Sequence, residues 1–194
     1  KLKGESVETS ARRIRQQKLI NIAENNNINS IILGHNLNDM AETVLFNILR
    51  GTGLRGSVGI TESSELEGIK FYRPLIGLRR EFLRELLRVR NIKWREDSSN
   101  YDDSYTRNYL RLKLLPLIEE KINSSAIEHL ANFGSDMRKI REREEFQGKE
   151  LLNSCREEKN ILVRKKLREF GLENINLVIR EIGRELNLKT LSRN

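Results

Sequence analysis

The stretch "SIILGHNLNDMAETVLFNILRG", residues 30–51, decides the fold. "SIIL" is a short β-branched run that predicts a buried strand, and Gly34 lets the chain turn after it. From Asn38 onward the apolar residues recur with the period of a helix, and Gly51 is a suitable cap for its end. A further helical pattern precedes the strand over 6–24. The order helix, strand, turn, helix is typical of an α/β domain with a parallel sheet.

Polar side chains crowd together where the predicted strand ends. They are His35, Asn36, Asn38, Asp39 and Glu42. Ligands of open α/β sheets bind beyond the carboxyl ends of the strands, which is where these residues fall. The start of the following helix would also offer backbone N–H groups to an anion. We therefore predict a binding site at this turn.

A second strand and a basic helix follow further along the chain. "IKFYRPLI", residues 69–76, alternates as a strand does. "LRREFLRELLRV", residues 78–89, predicts an amphipathic helix with Leu78, Phe82, Leu86 and Val89 facing inward. Eight basic residues against two acidic ones lie between Arg73 and Arg95. This excess favours a surface that faces phosphates, and a merely solvated helix face is the alternative.

A glycine-rich stretch imitates a dinucleotide-binding motif. "GTGLRG", residues 51–56, matches the G-x-G-x-x-G pattern letter for letter. That motif has to follow a strand and open a helix. Here it follows a helix and leads into "SVGITESSELEG", residues 57–68, which we interpret as a loop. We therefore interpret the glycines as a flexible turn.

Another polar turn precedes a helix in "WREDSSNYDDSYTRNYLRLKLLP", residues 94–116. The first half has the residue types of a turn. In the helix that follows, Arg107 and Arg111 are four residues apart and share one face, with Asn108 beside them. Surface arginines that only aid solubility are the plain alternative. The neighbouring polar turn and Asn108 favour a site.

Composition limits the class of protein. The 194 residues carry a net charge of +8 with an isoelectric point near 9.7, which favours a polyanionic partner such as nucleic acid. A basic protein without such a partner would have the same composition. With one cysteine, Cys155, the chain can form neither an internal disulfide nor a cysteine-based zinc or iron–sulfur site. No apolar run reaches the length of a membrane span, so we expect a cytoplasmic protein without membrane contact.

The pattern changes after Pro116. From there to the end of the chain helical patterns prevail, and we find no internal repeat. We therefore predict two domains, an α/β domain over residues 1–120 and a helical domain over residues 121–194.

Several of these segments together resemble a known family. In chain order they are "ARRIR" at 11–15, "GHNLNDMAETVLFNILRGTGLRG" at 34–56, "RPL" at 73–75, "WREDSSN" at 94–100 and "RNYLRLKLLP" at 107–116. They resemble the tRNA(Ile)-lysidine synthetases, members of the PP-loop ATP-pyrophosphatase superfamily. The resemblance implies a Rossmann-like PP-loop domain with a parallel sheet, incomplete at its N-terminal side, followed by an all-helical domain.

The resemblance also implies an activity. Members of this family use ATP, accompanied by Mg²⁺, to adenylate the wobble cytidine of an isoleucine tRNA, and pyrophosphate is released. The amine of free L-lysine then displaces AMP, which leaves lysidine in the tRNA. Members of the family often form homodimers, so a homodimer is a further expectation.

The resemblance assigns roles to residues at matching positions. The catalytic set is Asp39, Glu42 and Arg107, with Asp39 also the expected metal ligand. The nucleotide-binding set is His35, Asn36, Arg12 and Arg15. The substrate-binding set is Arg73, Asp97, Asn100, Asn108 and Arg111.

The sequence departs from the family in two respects. Many members have two adjacent carboxylates where this chain has Asn38-Asp39, so one carboxylate has to suffice. The "SGGxDS" phosphate loop of the family does not occur in these 194 residues. We expect it upstream of Lys1, and we expect this piece to be inactive by itself.

Two other functions stay open at this point. Another PP-loop tRNA-modifying enzyme, such as a thiolase, is one of them, although that chemistry usually brings several cysteines and this chain has Cys155 alone. A non-catalytic basic RNA-binding module that has lost the phosphate loop is the other. The complete polar cluster around His35 argues against such a loss.

Overall fold

The computed structural model describes residues 7–54, 56–97, 101–158 and 161–186. Contacts divide the chain into two compact units, Lys1–Ser135 and Asp136–Asn194. The division falls within a long helix, and the domain boundary at residue 120 stays a prediction.

The first unit contains most of the regular structure. Its strands are β1 (Ser30–Ile32), β2 (Ser63–Leu66) and β3 (Ile69–Tyr72). Its helices are α1 (Val7–Asn25), α2 (Leu37–Leu49), α3 (Arg80–Val89), α4 (Thr106–Tyr109), α5 (Leu115–Lys121) and the start of α6 (Ala126–Cys155). A turn of π-helix, Leu110–Leu114, joins α4 to α5.

The sheet of the first unit is mixed. Among the described residues it has three strands in the order β1-β3-β2. β1 pairs parallel to β3, with Ile31 opposite Phe71, which agrees with the predicted α/β class. β2 pairs antiparallel to β3, so the prediction of an all-parallel sheet and of a loop over 57–68 is wrong for Ser63–Leu66. The reason is the tight connection between β2 and β3, where Glu67 and Gly68 both have positive φ (51° and 77°), as two-residue hairpins require.

Two small cores hold this unit together. Ile69 and Phe71, on one face of β3, are buried against Ile20 and Ala23 of α1. A second core joins α2 to the first turns of α6, and its buried members are Met40, Val44, Ile60 and Ala131. α2 is thus packed on a helix that begins almost eighty residues later, and its polar first turn is held at the carboxyl ends of β1 and β3.

Apolar residues that we predicted to be inside are exposed at several places. Ile32, in the predicted buried strand, is 74% exposed, and Phe82 and Val89 of α3 are 55% and 70% exposed. None of the residues of α3 is buried. The helix is attached by arginines at its start rather than by its apolar face, so the inward orientation predicted for that face is wrong.

The second unit contains the rest of α6 and four later elements. They are the antiparallel pair β4 (Arg156–Glu158) and β5 (Ile161–Leu162), and the helices α7 (Arg164–Glu169) and α8 (Leu172–Glu185). Leu152, Cys155 and Val178 form its core. The predicted all-helical domain therefore also contains a short hairpin. In the described part of the chain, no helix has the length and apolarity needed to cross a membrane.

Substituting Gly134, where α6 lies against α2, tests this packing. A Cβ added there would lie 2.5 Å from Cγ2 of the fully buried Val44 and 3.2 Å from the carbonyl oxygen of Val58. Overpacking costs about 1–3 kcal/mol, against a gain of about 1 kcal/mol in helix propensity. We expect Gly134→Ala to lower the free energy of unfolding by about 1 kcal/mol, measured by urea denaturation.

The control for this substitution is Gly77→Ala, because a Cβ there meets no atom within 4 Å. It should change the free energy of unfolding by less than about 0.5 kcal/mol. Equal effects of both substitutions would contradict a close contact between α2 and α6.

Candidate active site

The polar start of α2 is fixed by hydrogen bonds within its own first turn. The side chain of Asn36 accepts from the backbone N–H of Asp39 (3.2 Å), and the Asp39 carboxylate accepts from the N–H of Asn36 (3.0 Å), which is a capping box. The N–H of Leu37 donates to the carbonyl of Leu78, and that of Met40 to the carbonyl of Asn36. The expectation that these amides are free to bind an anion is therefore wrong.

Two carboxylates and two arginines meet beside this turn. We call Asp39, Glu42, Arg80 and Arg111 the carboxylate–arginine cluster. Arg111 donates from Nε and Nη2 to the two oxygens of Glu42, both at 2.8 Å, and from Nη2 to Oδ1 of Asp39 at 3.1 Å. Arg80 donates from Nη2 to Oε1 of Glu42 at 2.9 Å and to Oδ1 of Asp39 at 3.2 Å. Each carboxylate is thus shared by both guanidinium groups.

The burial of Glu42 makes this cluster necessary. Its side chain is 4% exposed, whereas those of Arg80 and Arg111 are 22% and 26% exposed. An ionised carboxylate at such a depth requires a charge partner with good geometry, and a two-pronged arginine contact supplies it. The hydrogen bonds that Arg111 donates to Glu42 also raise the pKa of Arg111, despite the opposing effect of burial.

Arg80 is a member of the site that the sequence alone did not single out. Its backbone N–H donates to Oδ1 of the buried Asn38 (2.9 Å), which ties the start of α3 to the start of α2. The preceding Arg79 donates to Glu128 and Glu119, and its hydrogen bond to Glu128 is the main reason that the pKa of Arg79 is raised. The sequence feature that could have identified Arg80 as a site residue is its position. Arg80 follows shortly after β3, and the carboxyl end of β3 lies at the same edge of the sheet as that of β1.

The charges of three arginines and of Asp39 act on the imidazole of His35. Burial is the main cause that lowers the pKa of this imidazole, and the charges of Arg73, Arg12 and Arg107 lower it further, whereas Asp39 raises it. Residues far apart in the chain, on α1, after β3 and on α4, therefore act on one imidazole. Among the described residues, Nδ1 of His35 is buried without a hydrogen-bond partner. A buried polar atom among cations is a suitable place for an anion such as phosphate.

Arg73 has a second, structural role in this group. Its Nη1 donates to the carbonyl of Thr61 (3.0 Å), and both terminal nitrogens donate to the hydroxyl of Ser64 (3.1 Å). Burial and the nearby Arg12 lower the pKa of Arg73. Its Nε is buried and makes no hydrogen bond to a described residue. Arg73 thus fastens the start of β2 and keeps one donor for a ligand.

No hydrogen bond that the structure gives for the other described site residues joins them to the cluster. Asn108 donates to the carbonyl of Asp102 (2.8 Å) and so holds the turn before α4. Asp97 is exposed in the segment after α3, and Arg15 is exposed on α1, one turn beyond Arg12. Asn100 lies outside the described residues. The structure thus brings together Asp39, Glu42, Arg111, His35, Arg12, Arg73 and Arg107, and it leaves Arg15 and Asp97 at the surface.

Fewer arginines between Arg73 and Arg95 are available to bind phosphate than the composition of this run suggests. Besides Arg79 and Arg80, Arg84 pairs with Glu96 (2.6 Å) and Arg88 with Glu85 (2.5 Å). These pairs neutralise part of the predicted phosphate-facing surface.

The carboxylate–arginine cluster is a poor fit for a metal ion in this arrangement. Every carboxylate oxygen of Asp39 and Glu42 already accepts from an arginine or from the N–H of Asn36. No group of three or more metal-binding side chains occurs in the described residues. Mg²⁺ commonly binds through one or two carboxylates together with substrate phosphates. Asp39 stays a predicted ligand, and an ion on it would first have to displace Arg80 or Arg111.

Comparison with known proteins identifies the class to which this fold and site belong. The PP-loop domain family matches residues 1–118 of the chain, and the chain therefore belongs to this family. Relatives with curated names include tRNA(Ile)-lysidine synthases. The protein from Clostridioides difficile (strain 630) is 35% identical over 174 residues, which are 90% of this chain and 35% of that protein.

Two further relatives have the same name. The protein from Caldanaerobacter subterraneus subsp. tengcongensis is 41% identical over 132 residues, 68% of this chain and 27% of the relative. The protein from Thermus thermophilus is 42% identical over 131 residues, 68% of this chain and 24% of the relative. The chain thus spans between 24% and 35% of the length of these relatives. The family resemblance seen in the sequence is confirmed.

Removing Arg111 tests the energetic importance of the carboxylate–arginine cluster. In Arg111→Met the buried carboxylate of Glu42 keeps Arg80 as its partner but loses its two-pronged contact. We expect a loss of about 3 kcal/mol in the free energy of unfolding, measured by urea denaturation. Arg111→Lys should lose less, because lysine keeps the charge without the fork of donors.

The control is Arg88→Met, which breaks an ion pair whose side chains are 68% and 59% exposed. It should cost about 0.5 kcal/mol or less. If Arg111→Met cost no more than this, the buried pair would not hold the cluster together.

Titration of His35 tests the arrangement of charges around it. Its pKa should lie below the ordinary value of 6.5, because burial and nearby arginines disfavour the imidazolium. Arg107→Gln should raise this pKa, and Asp39→Asn should lower it further. The measurement is an NMR titration of the imidazole Cε1–H signal in a His129→Gln background, which leaves one histidine in the chain. A midpoint that neither substitution moves would remove Asp39 and Arg107 from the neighbourhood of His35.

Proposed function

We propose that this chain provides the acidic and cationic half of the active site of a tRNA(Ile)-lysidine synthetase. The reaction uses ATP to activate the wobble cytidine of an isoleucine tRNA and then joins free L-lysine to that base. The observation that carries the proposal is the meeting of Asp39, Glu42 and Arg111 beside the positive group around His35. Membership of the PP-loop domain family and the curated names of the relatives support it.

The carboxylates of Asp39 and Glu42 are suited to bind the positive groups of lysine. They accept hydrogen bonds from two arginines. An ammonium group makes the same kind of charge-assisted hydrogen bond, and it would bind by displacing one of these arginine donors. Asp39 is the more accessible of the two, with a side chain that is 19% exposed against 4% for Glu42. We therefore assign contact with lysine to Asp39, and support of the arginines to Glu42.

The positive group around His35 is suited to the phosphates of ATP. Arg12, Arg73 and Arg107 place positive charge around the buried Nδ1 of His35. Negative charge grows on the phosphates as pyrophosphate leaves, and fixed positive groups lower the barrier for such a step. Arg107 is the proposed catalytic arginine of this group. Mg²⁺ that accompanies ATP remains part of the proposal, without a step assigned to it.

The partners follow from the proposed reaction. A net charge of +8 suits the binding of tRNA, and lysine is the second substrate. Homodimerisation and a location in the cytoplasm stay predictions from the family resemblance.

The alternative functions have less support. A thiolase would require reactive sulfur, and Cys155 is fully buried in the core of the second unit. A non-catalytic RNA-binding module would not need a buried, doubly paired carboxylate such as that of Glu42.

Asp39→Asn tests the proposed function in the protein expressed from its complete coding sequence. The amide oxygen of asparagine can still accept the N–H of Asn36, so the helix cap and the fold should persist. The negative charge is lost, and we expect lysine incorporation into an isoleucine tRNA transcript to fall by about 100-fold or more. The assay uses radioactive lysine and filter-bound tRNA, and circular dichroism monitors the fold.

Asp136→Asn is the matched control, because Asp136 belongs to the second unit and forms an exposed ion pair with Lys139. It should leave turnover unchanged. Normal turnover of the folded Asp39→Asn protein would remove this carboxylate from the mechanism.

A further inference from the structure

We propose that Phe46 is a positioning residue for Arg107. Phe46 lies on α2, and the guanidinium carbon of Arg107 lies 5.5 Å from the centroid of its ring, a distance typical of a cation–π contact. The guanidinium carbon of Arg50 lies 5.2 Å from the same centroid. This inference rests on the proposed function, because it concerns the arginine to which that function assigns a catalytic role.

The contact belongs to a pair of contacts between α2 and the helical segment that begins at α4. Along α2, Phe46 comes one turn after Glu42, and along the second segment Arg107 comes one turn before Arg111. Arg111 bonds to Glu42, and Arg107 lies over Phe46. The two segments therefore run antiparallel, with one arginine contact on each of two successive turns. α2 sets the positions of both arginines.

The two contacts have different electrostatic consequences. Glu42 holds Arg111 with an opposite charge, so the pair is close to neutral. Phe46 holds Arg107 with the face of an aromatic ring, which attracts a cation but carries no net charge. A carboxylate at position 46 would compete with a phosphate for the guanidinium. The aromatic ring of Phe46 positions Arg107 without placing a negative charge against its guanidinium.

The π-helical turn that contains Arg111 also contributes to the two contacts with α2. Leu110–Leu114 includes Arg111 and directly follows Arg107 on α4. Single π-helical turns widen the helix locally and are frequent at functional sites, because they redirect side chains. The buried Leu110 anchors the turn in the protein, and the turn itself contacts α2.

The experiment compares Phe46→Leu with Phe46→Tyr in the protein expressed from its complete coding sequence. Leucine keeps the apolar bulk and removes the π face, whereas tyrosine keeps both. We expect Phe46→Leu to lower kcat for lysine incorporation about 3- to 10-fold, with KM for lysine unchanged within about two-fold, and Phe46→Tyr to stay near wild type. Equal losses in both variants, or a loss seen in KM alone, would overturn the proposal.

A double-mutant cycle separates positioning from a general structural effect. In an Arg107→Gln background, Phe46→Leu should cause no further loss of kcat, because the residue that it positions is already absent. Additive losses would overturn the proposal. Arg50→Gln is the matched control, since it removes the other guanidinium from the same ring, and it should leave kcat unchanged within about two-fold. Thermal unfolding of each variant monitors the fold.

The same cycle distinguishes the failure of this inference from the failure of the proposed function. Wild-type turnover of Arg107→Gln would remove Arg107 from the mechanism and would overturn this inference alone, whereas a wild-type protein that incorporates no lysine would overturn the proposed function. An inactive Arg107→Gln protein with a fully active Phe46→Leu protein would overturn the positioning role alone.

A measurement without substrate tests the contact itself. The ring current of Phe46 should shift the Nε–Hε signal of Arg107 in an NMR spectrum of protein with labelled arginine. The shift should be lost in Phe46→Leu and retained in Phe46→Tyr. An unchanged Arg107 signal in Phe46→Leu would overturn the proposal.

Discussion

The buried carboxylate of Glu42 is the constraint on which the candidate site depends. It lies on the inner face of α2, where an ionised group is stable only with a close partner of opposite charge. Arg80 and Arg111 supply this charge from positions 38 and 69 residues further along the chain. The ion pairs of this one carboxylate thus place the start of α3 and the π-helical turn on the same side of α2.

The backbone N–H groups in the first turn of α2 already have hydrogen-bond acceptors, and this determines how the site can bind an anion. Its amides are occupied by the capping box and by the carbonyls of Asn36 and Leu78, so the helix start has few donors left for phosphate. Positive charge has to come from side chains instead, and Arg12, Arg73 and Arg107 bring it to His35. Arg80 and Arg111 thus pair with carboxylates, whereas Arg12, Arg73 and Arg107 act on the imidazole of His35.

Local patterns predicted more of this site than of its surroundings. The helix period from Asn38 onward placed α2 to within one residue of its observed start, whereas Arg80 was one of many arginines in a basic run. The amphipathic pattern of α3 shows that one face is apolar but not whether another element covers it, and Phe82 is exposed. β2 was missed because its hairpin depends on the backbone angles of Glu67, a residue type uncommon at positive φ.

The sequence by itself determined the family, the helix–strand–helix unit and the residues that occupy the carboxyl end of β1. These follow from periodicity, capping and motif order, which act over short distances along the chain. The tertiary structure alone decided that Arg111 pairs with Glu42, that Arg80 joins them and that Arg107 lies over Phe46. The physical reason is that ion pairing and cation–π attraction depend on distance in space, and many arginines of this chain have equivalent local sequence.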